Sequence, residues 1–271
     1  MNISAIINHN REYMVELIEE IDVEQGQLWY DKGLEHLKSG NLSGVMECFR
    51  NALYFYPNFA EVHNTIGMIQ FQIEKYEGAI QLFDNALAMN PNFAEAYNNR
   101  GLARSKICHK SEFPKVIEDY TKAIALNPNL VQAYLNRADT YKNLTGDNPA
   151  AILDYNQVIS LDPNCLSAYI NRANIYFLSG ELEKSLFDLE KALSLDADCA
   201  EAYCGRGTVR FHLGDIEGAK KDLFKAFGLY EARGNMIYCA FTRSLIIDLF
   251  RDYEVYKDLL GVESRIVKSK K

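Results

Sequence analysis

Apolar residues along this chain recur in helical registers separated by prolines. In EGAIQLFDNALAMNP, residues 77–91, Ala79, Ile80, Phe83, Ala86 and Leu87 fall on one side of an α-helix, with polar residues opposite. Ahead of such segments stands a second amphipathic pattern. AYNNRGLARS begins at Ala96 and returns as AYLNRADTYK from Ala133, AYINRANIYF from Ala168 and AYCGRGTVRF from Ala202. Proline closes each pair of segments, because it cannot donate an N–H and disfavours helix in the residue before it. Pro57, Pro91, Pro128 and Pro163 lie 34, 37 and 35 residues apart, and Ala197 stands 34 further on, where a fifth would fall. Two helices per period of this length predict a helical repeat array.

Counting each closing proline as position 32, the second repeat carries His63 at 4, Ile66 at 7, Gly67 at 8, Gln70 at 11, Ala79 at 20, Phe83 at 24, Ala86 at 27 and Pro91 at 32. The first has Trp29, Lys32, Gly33, His36, Val45, Phe49, Ala52 and Pro57 at those places. Later repeats open on Tyr97, Tyr134, Tyr169 and Tyr203, with Gly101, Ala138, Ala173 and Gly207 at position 8. These units resemble tetratricopeptide repeats, whose pattern is Trp-x2-Leu-Gly-x2-Tyr, then Ala-x3-Phe, Ala and Pro. The resemblance implies an all-α fold, a right-handed superhelical solenoid of about six helix-turn-helix repeats with N- and C-terminal capping helices. The expected boundaries are 1–25 for an N-terminal capping helix, six repeats over 26–230 (26–59, 60–93, 94–130, 131–165, 166–199 and 200–230), and 231–271 for a C-terminal capping helix and basic tail.

The pattern itself encodes packing. Positions 4, 7, 8 and 11 are expected to form the buried stripe of each first helix, and the small residue at 8 lets the second helix approach at its small positions 20 and 27. The third and fourth units carry extra residues between their helices, with Pro114 and Pro149 suited to the first turn of the second helix. Those insertions are expected only to enlarge loops.

One charged pair stands out against this apolar background. Position 7 is Arg100, Arg137, Arg172 and Arg206 in the third to sixth repeats, and position 23 of the same repeats is Asp119, Asp154, Asp188 and Asp222. The first two repeats have neither member, with Lys32 against Cys48 and Ile66 against Leu82. Residues that come and go together predict an ion pair joining the two helices of one repeat, a guanidinium fork meeting a carboxylate. A competing reading lines a groove with these arginines for an anionic ligand.

In the tetratricopeptide family first helices line a concave groove, so the resemblance implies that positions 2, 5, 6, 9 and 12 face a partner. Asn99, Asn136 and Asn171 at position 6, with Asn174 at position 9, offer carboxamides that both donate to and accept from a peptide backbone. Phe71, Phe177 and Phe211 at position 12 add aromatic contact, and Leu34, Met68 and Leu102 add aliphatic surface. Asp31, Glu61, Glu95, Asp139 and Glu201 favour a neutral or basic peptide. Chaperone-binding relatives clamp a terminal carboxylate with Lys at position 5 and Asn at 9. Here those places hold Tyr30 and Leu34, Asn64 and Met68, or Asn98 and Leu102, so such a chaperone tail is not the expected partner.

Charge and composition narrow the classes. A formal charge of −8 argues against nucleic acid, since phosphate binding needs a basic face. The one basic run, Lys268, Lys270 and Lys271, reads as a solvated end. The opening residues lack a leader pattern and no window reaches a membrane span, so a cytoplasmic location with no membrane contact is expected. The six cysteines lack metal-ligand spacing and are expected to be reduced, most of them as packing residues, with Cys108 beside His109 read as a loop in preference to a metal or nucleophile site. Ile3, Ile7, Met14, Leu17 and Ile21 form one helical face for an N-terminal cap. Ile237, Phe241, Leu245, Leu249, Tyr253, Tyr256 and Leu260 predict a long closing helix with enough apolar surface for a homodimer contact. No catalytic motif, metal site or cofactor site is legible. The expected function is a non-enzymatic adaptor holding a peptide or helix, or else a structural subunit that assembles through its convex face and ends.

Overall fold

The computed structural model describes residues 22–107 and 109–250, and all regular structure within them is helical. The helices are α1 (22–38), α2 (Leu42–Phe55), α3 (Ala60–Gln72), α4 (Tyr76–Met89), α5 (Ala94–Ile107), α6 (Phe113–Leu126) and α7 (Val131–Thr140). They continue as α8 (Asn148–Leu161), α9 (Leu166–Leu178), α10 (Leu182–Leu195), α11 (Ala200–His212), α12 (Ile216–Ala232) and α13 (Met236–Phe250). Two compact units divide the chain, residues 1–136 and 137–271. The expected N-terminal cap face, Cys108, and the far end of the closing helix with Tyr253, Tyr256 and Leu260 lie outside the described residues. No helix among the described residues is long and apolar enough to cross a membrane.

The recurring Asn/Asp-Pro-Asn string, with Asp196-Ala197-Asp198 in its place after α10, is a turn with a mechanism. The side chains of Asn90, Asn127, Asp162 and Asp196 each accept the N–H two residues on, at 3.0, 3.1, 3.0 and 2.9 Å. This Asx turn ends the second helix and aims the chain at the next first helix. Asn41, Asp147 and Asp215 cap α2, α8 and α12 by accepting from the N–H of Gly44, Ala150 and Gly218.

Between first and second helices the chain passes through the left-handed region. Gly40, Gly146, Gly180 and Gly214 hold φ of 73°, 74°, 76° and 84° there, but the equivalent residue after α3 is Glu74 at φ 60°. A side chain in that conformation costs about 1 kcal/mol. Glu74→Gly is therefore expected to raise stability by about that amount, read as a higher urea midpoint with an unchanged slope.

Each second helix buries positions 20, 24 and 27 almost completely, from Val45, Phe49 and Ala52 at 0–1% exposure to Ala219, Leu223 and Ala226 at 0%. Position 8 is buried in all six first helices. Two features differ from the sequence expectation. First, positions 4, 7 and 11 are mostly only half-buried, while positions 3 and 10 are fully covered from the third repeat on, as at Ala96 with Ala103, Ala168 with Ile175, and Ala202 with Val209, whereas Leu28 and Glu35 of the first repeat are exposed. The reason is that a first helix packs against its own second helix and also against the second helix before it, as α5 does against α6 and α4. A second apolar stripe is needed for the second neighbour. Second, the extra residue of the fourth unit does not enlarge a loop. It is wound into a π-helical turn, Tyr141–Thr145, that prolongs α7.

Candidate functional site

The four arginine–aspartate pairs bridge the helices of their own hairpins through two parallel bonds. Arg137 Nε and Nη2 lie 2.8 Å from Asp154 Oδ2 and Oδ1. Arg172 reaches Asp188 at 2.8 and 2.7 Å, Arg206 reaches Asp222 at 2.7 and 2.8 Å, and Arg100 Nη2 lies 2.5 Å from Asp119 Oδ1. The carboxylates are the buried partners. Burial works against the Arg172 charge, and the Asp188 carboxylate outweighs it, leaving the guanidinium above its ordinary value. Tyrosine rings support the cations, with Tyr97, Tyr169 and Tyr203 centred 5.2, 5.9 and 5.4 Å from the guanidinium carbons of Arg100, Arg172 and Arg206.

Two further contacts were not legible in the spacing. The free arm of Arg100 reaches back to Asp84 on α4 at 2.7 Å, and that of Arg172 reaches Asn156 on α8, so each arginine also ties its hairpin to the preceding one. Arg104 and Arg210, at position 11, place a second guanidinium 2.8 Å from Asp119 and Asp222. Their signal was the departure from tyrosine at position 11.

The carboxamides are engaged with one another. In the first unit Asn99 donates to Asn64 at 3.0 Å, Asn98 donates to Asn99 at 3.2 Å, and Asn136 donates to Asn98 at 2.9 Å while accepting from Gln132. Asn136 is thus buried within a line of amides and not presented to solvent, because neighbouring first helices bring positions 5 and 6 within bonding distance. In the second unit Asn171 donates to Asp139 at 3.1 Å and accepts from Lys142 Nζ at 2.7 Å, and the Tyr155 hydroxyl donates to Asp139 at 2.5 Å. Burial, then Asp139, pushes the Tyr155 hydroxyl far up, and burial pulls the Lys142 ammonium down against the opposing pull of Asp139. Asp139 is accordingly tied into the fold. Glu61 is half-buried in the first turn of α3, and Glu95 is exposed in that of α5.

The aromatic residues at position 12 separate. Phe71 packs on Tyr76 at 5.4 Å beside the buried Phe83 cluster. Phe211 is covered by α13, with its ring 5.3 Å from that of Phe250. Phe177 opens into a bay of about 500 Å³ between α9, α11 and α13 in the second unit. Asn171 and Asn174 of α9 and Glu201 of α11 line it, together with Tyr238, Phe241 and Leu245 of α13. Among the described residues Tyr238, stacked on Tyr230 at 5.2 Å, and Phe241 remain 48% and 60% exposed. The sequence expectation for this part of α13 is a closing helix with apolar surface for a homodimer contact; a wall facing α9 and α11 was not part of it.

A family profile described as TPR repeat matches residues 67–107 and 173–214, and one described as Tetratricopeptide repeat matches residues 119–152. No curated protein matches. Among solved structures, PilF of Pseudomonas aeruginosa superposes with a TM-score of 0.68 at 16% identity, over 78% of this chain and 94% of that one. A tetratricopeptide repeat protein from Parabacteroides merdae gives 0.59 at 20% identity, over 88% and 98%. YrrB, described as a TPR protein with an unusual peptide-binding site, gives 0.55 at 17% identity, over 67% and 91%.

Proposed function

Since the helix hairpins of this chain are tetratricopeptide repeats, units that generally mediate protein–protein interaction and scaffolding, we propose that it is a non-catalytic adaptor whose first helices capture a peptide or helix from a partner protein. The observation that carries this reading is the half-open aromatic wall of α13 facing α9 and α11 across a bay also lined by Glu201, which forms no ion pair among the described residues. Apolar rings left open beside polar rims are where partner contacts concentrate. A neutral to basic partner follows from the carboxylate, and the repeat boundaries given from the sequence are proposed as the structural units.

A second reading also has an observation in its favour. Leu153 on α8 and Phe187 on α10 occupy the same repeat position and are 70% and 67% exposed on the second helices, which suits assembly through that face. Pull-down from native extract separates the two. Phe241→Asp is expected to abolish recovery of a partner that Leu153→Asp with Phe187→Asp leaves intact. The opposite pattern would favour assembly through the second helices.

A further inference from the structure

We propose that the bay between α9, α11 and α13 is an anchor pocket for a large apolar side chain flanked by a lysine or arginine, an inference that rests on the first helices being the partner-binding face. The floor is where this repeat departs from its neighbours. Position 6 holds asparagine in the third, fourth and fifth repeats but glycine, Gly205, in the sixth. A Cβ added at Gly205 would lie 2.9 Å from Leu189 Cδ2, so the missing side chain lets a leucine methyl take the space an amide occupies elsewhere. The polar line of carboxamides is therefore interrupted by an apolar floor.

The walls select the same chemistry. Phe177 on one side and Tyr238, Phe241 and Leu245 on the other present rings and methyls to the same space, enough to desolvate one bulky side chain. Among the described residues no cation lines this space. Burial raises the Cys204 thiol and the Tyr230 hydroxyl, which leaves both neutral at neutral pH. Glu201 then supplies the bay's charge. Among the described residues it forms no ion pair and only accepts from Cys199 Sγ at 3.6 Å, whereas Asp119, Asp154, Asp188 and Asp222 are each held by arginine. A carboxylate without an ion pair that lines an apolar bay attracts a cation attached to whatever fills the bay. Asn174, an exposed lining residue on α9, can pair with the partner's backbone.

The test is selection of a displayed random-peptide library on the immobilised full-length chain. Enriched peptides are expected to share an aromatic or large aliphatic residue beside lysine or arginine. A synthetic peptide of that sequence is expected to bind at least about ten-fold more weakly to Phe241→Ser and to Glu201→Gln. Selection on Glu201→Lys is expected to exchange the basic neighbour for an acidic one while keeping the anchor. Both side chains are exposed, so thermal melts of these variants are expected to coincide with the parent. Enriched peptides without the basic neighbour, or binding indifferent to both substitutions, would overturn the pocket and leave peptide capture elsewhere on the first helices standing. Absence of any enrichment on the parent chain would remove both.

Discussion

Arg172→Ala is expected to destabilise the chain by about 3–5 kcal/mol, because it leaves a buried carboxylate without its cation. The Asp188 side chain is 1% exposed, and both its oxygens are taken by Arg172. Removing the guanidinium also strands Asn156, its contact on the preceding hairpin. Arg206→Ala is expected to cost less, since Arg210 also reaches Asp222 Oδ2 at 2.8 Å and stays behind to hold the charge. Replacing both members, as in Arg172→Met with Asp188→Leu, is expected to recover most of the loss, because neither an unpaired charge nor an empty volume remains. Urea denaturation of the single and double variants measures this. A single variant that unfolds with the parent would mean that water reaches Asp188 and that the pair contributes as little as an exposed one.

Phe83→Ala is expected to cost a comparable 3–5 kcal/mol for a different reason, the loss of a fully buried ring and the cavity it leaves. The ring is 0% exposed and lies so close to Gly67 that an added Cβ would sit 2.6 Å from its Cε1. Gly67→Ala alone must displace the ring, whereas in the Phe83→Ala background it fills part of the cavity and is expected to restore some stability. Thermal melts of the two single variants and the double variant decide this. If Phe83→Ala loses under about 1 kcal/mol, the α3–α4 hairpin closes over the gap.

The repeat was legible in the sequence because its information is local. A proline, a small residue at position 8 and a three-position apolar stripe on the second helix each act within one hairpin, and burial at Ala79, Phe83 and Ala86 follows that stripe. Contacts between hairpins were harder to read. Nothing within one repeat signals that Arg100 will reach Asp84, or that Asn136 will spend its amide on Asn98, since both depend on how neighbouring first helices are brought together. The candidate site was legible only in part. Phe177 and Glu201 came from their repeat positions, but Phe71 and Phe211 occupy the same or an equivalent pattern and are covered by Tyr76 and by α13. Periodicity gives a residue's side of a helix and is blind to what the next helix covers. Tyr238, and the direction in which Phe241 opens, were hidden for the converse reason, since apolar residues at the end of an array read as a cap or a self-association surface whichever way they open.

The π-helical turn at Tyr141–Thr145 leaves the downstream geometry undisturbed: Arg137 still meets Asp154 seventeen residues on, where Arg172 and Arg206 meet their partners sixteen residues on. A one-codon insertion at this joint is thus quarantined in a single turn instead of rephasing every helix after it. The joint of a hairpin can thus take up one residue while the ion pair beyond it keeps its geometry.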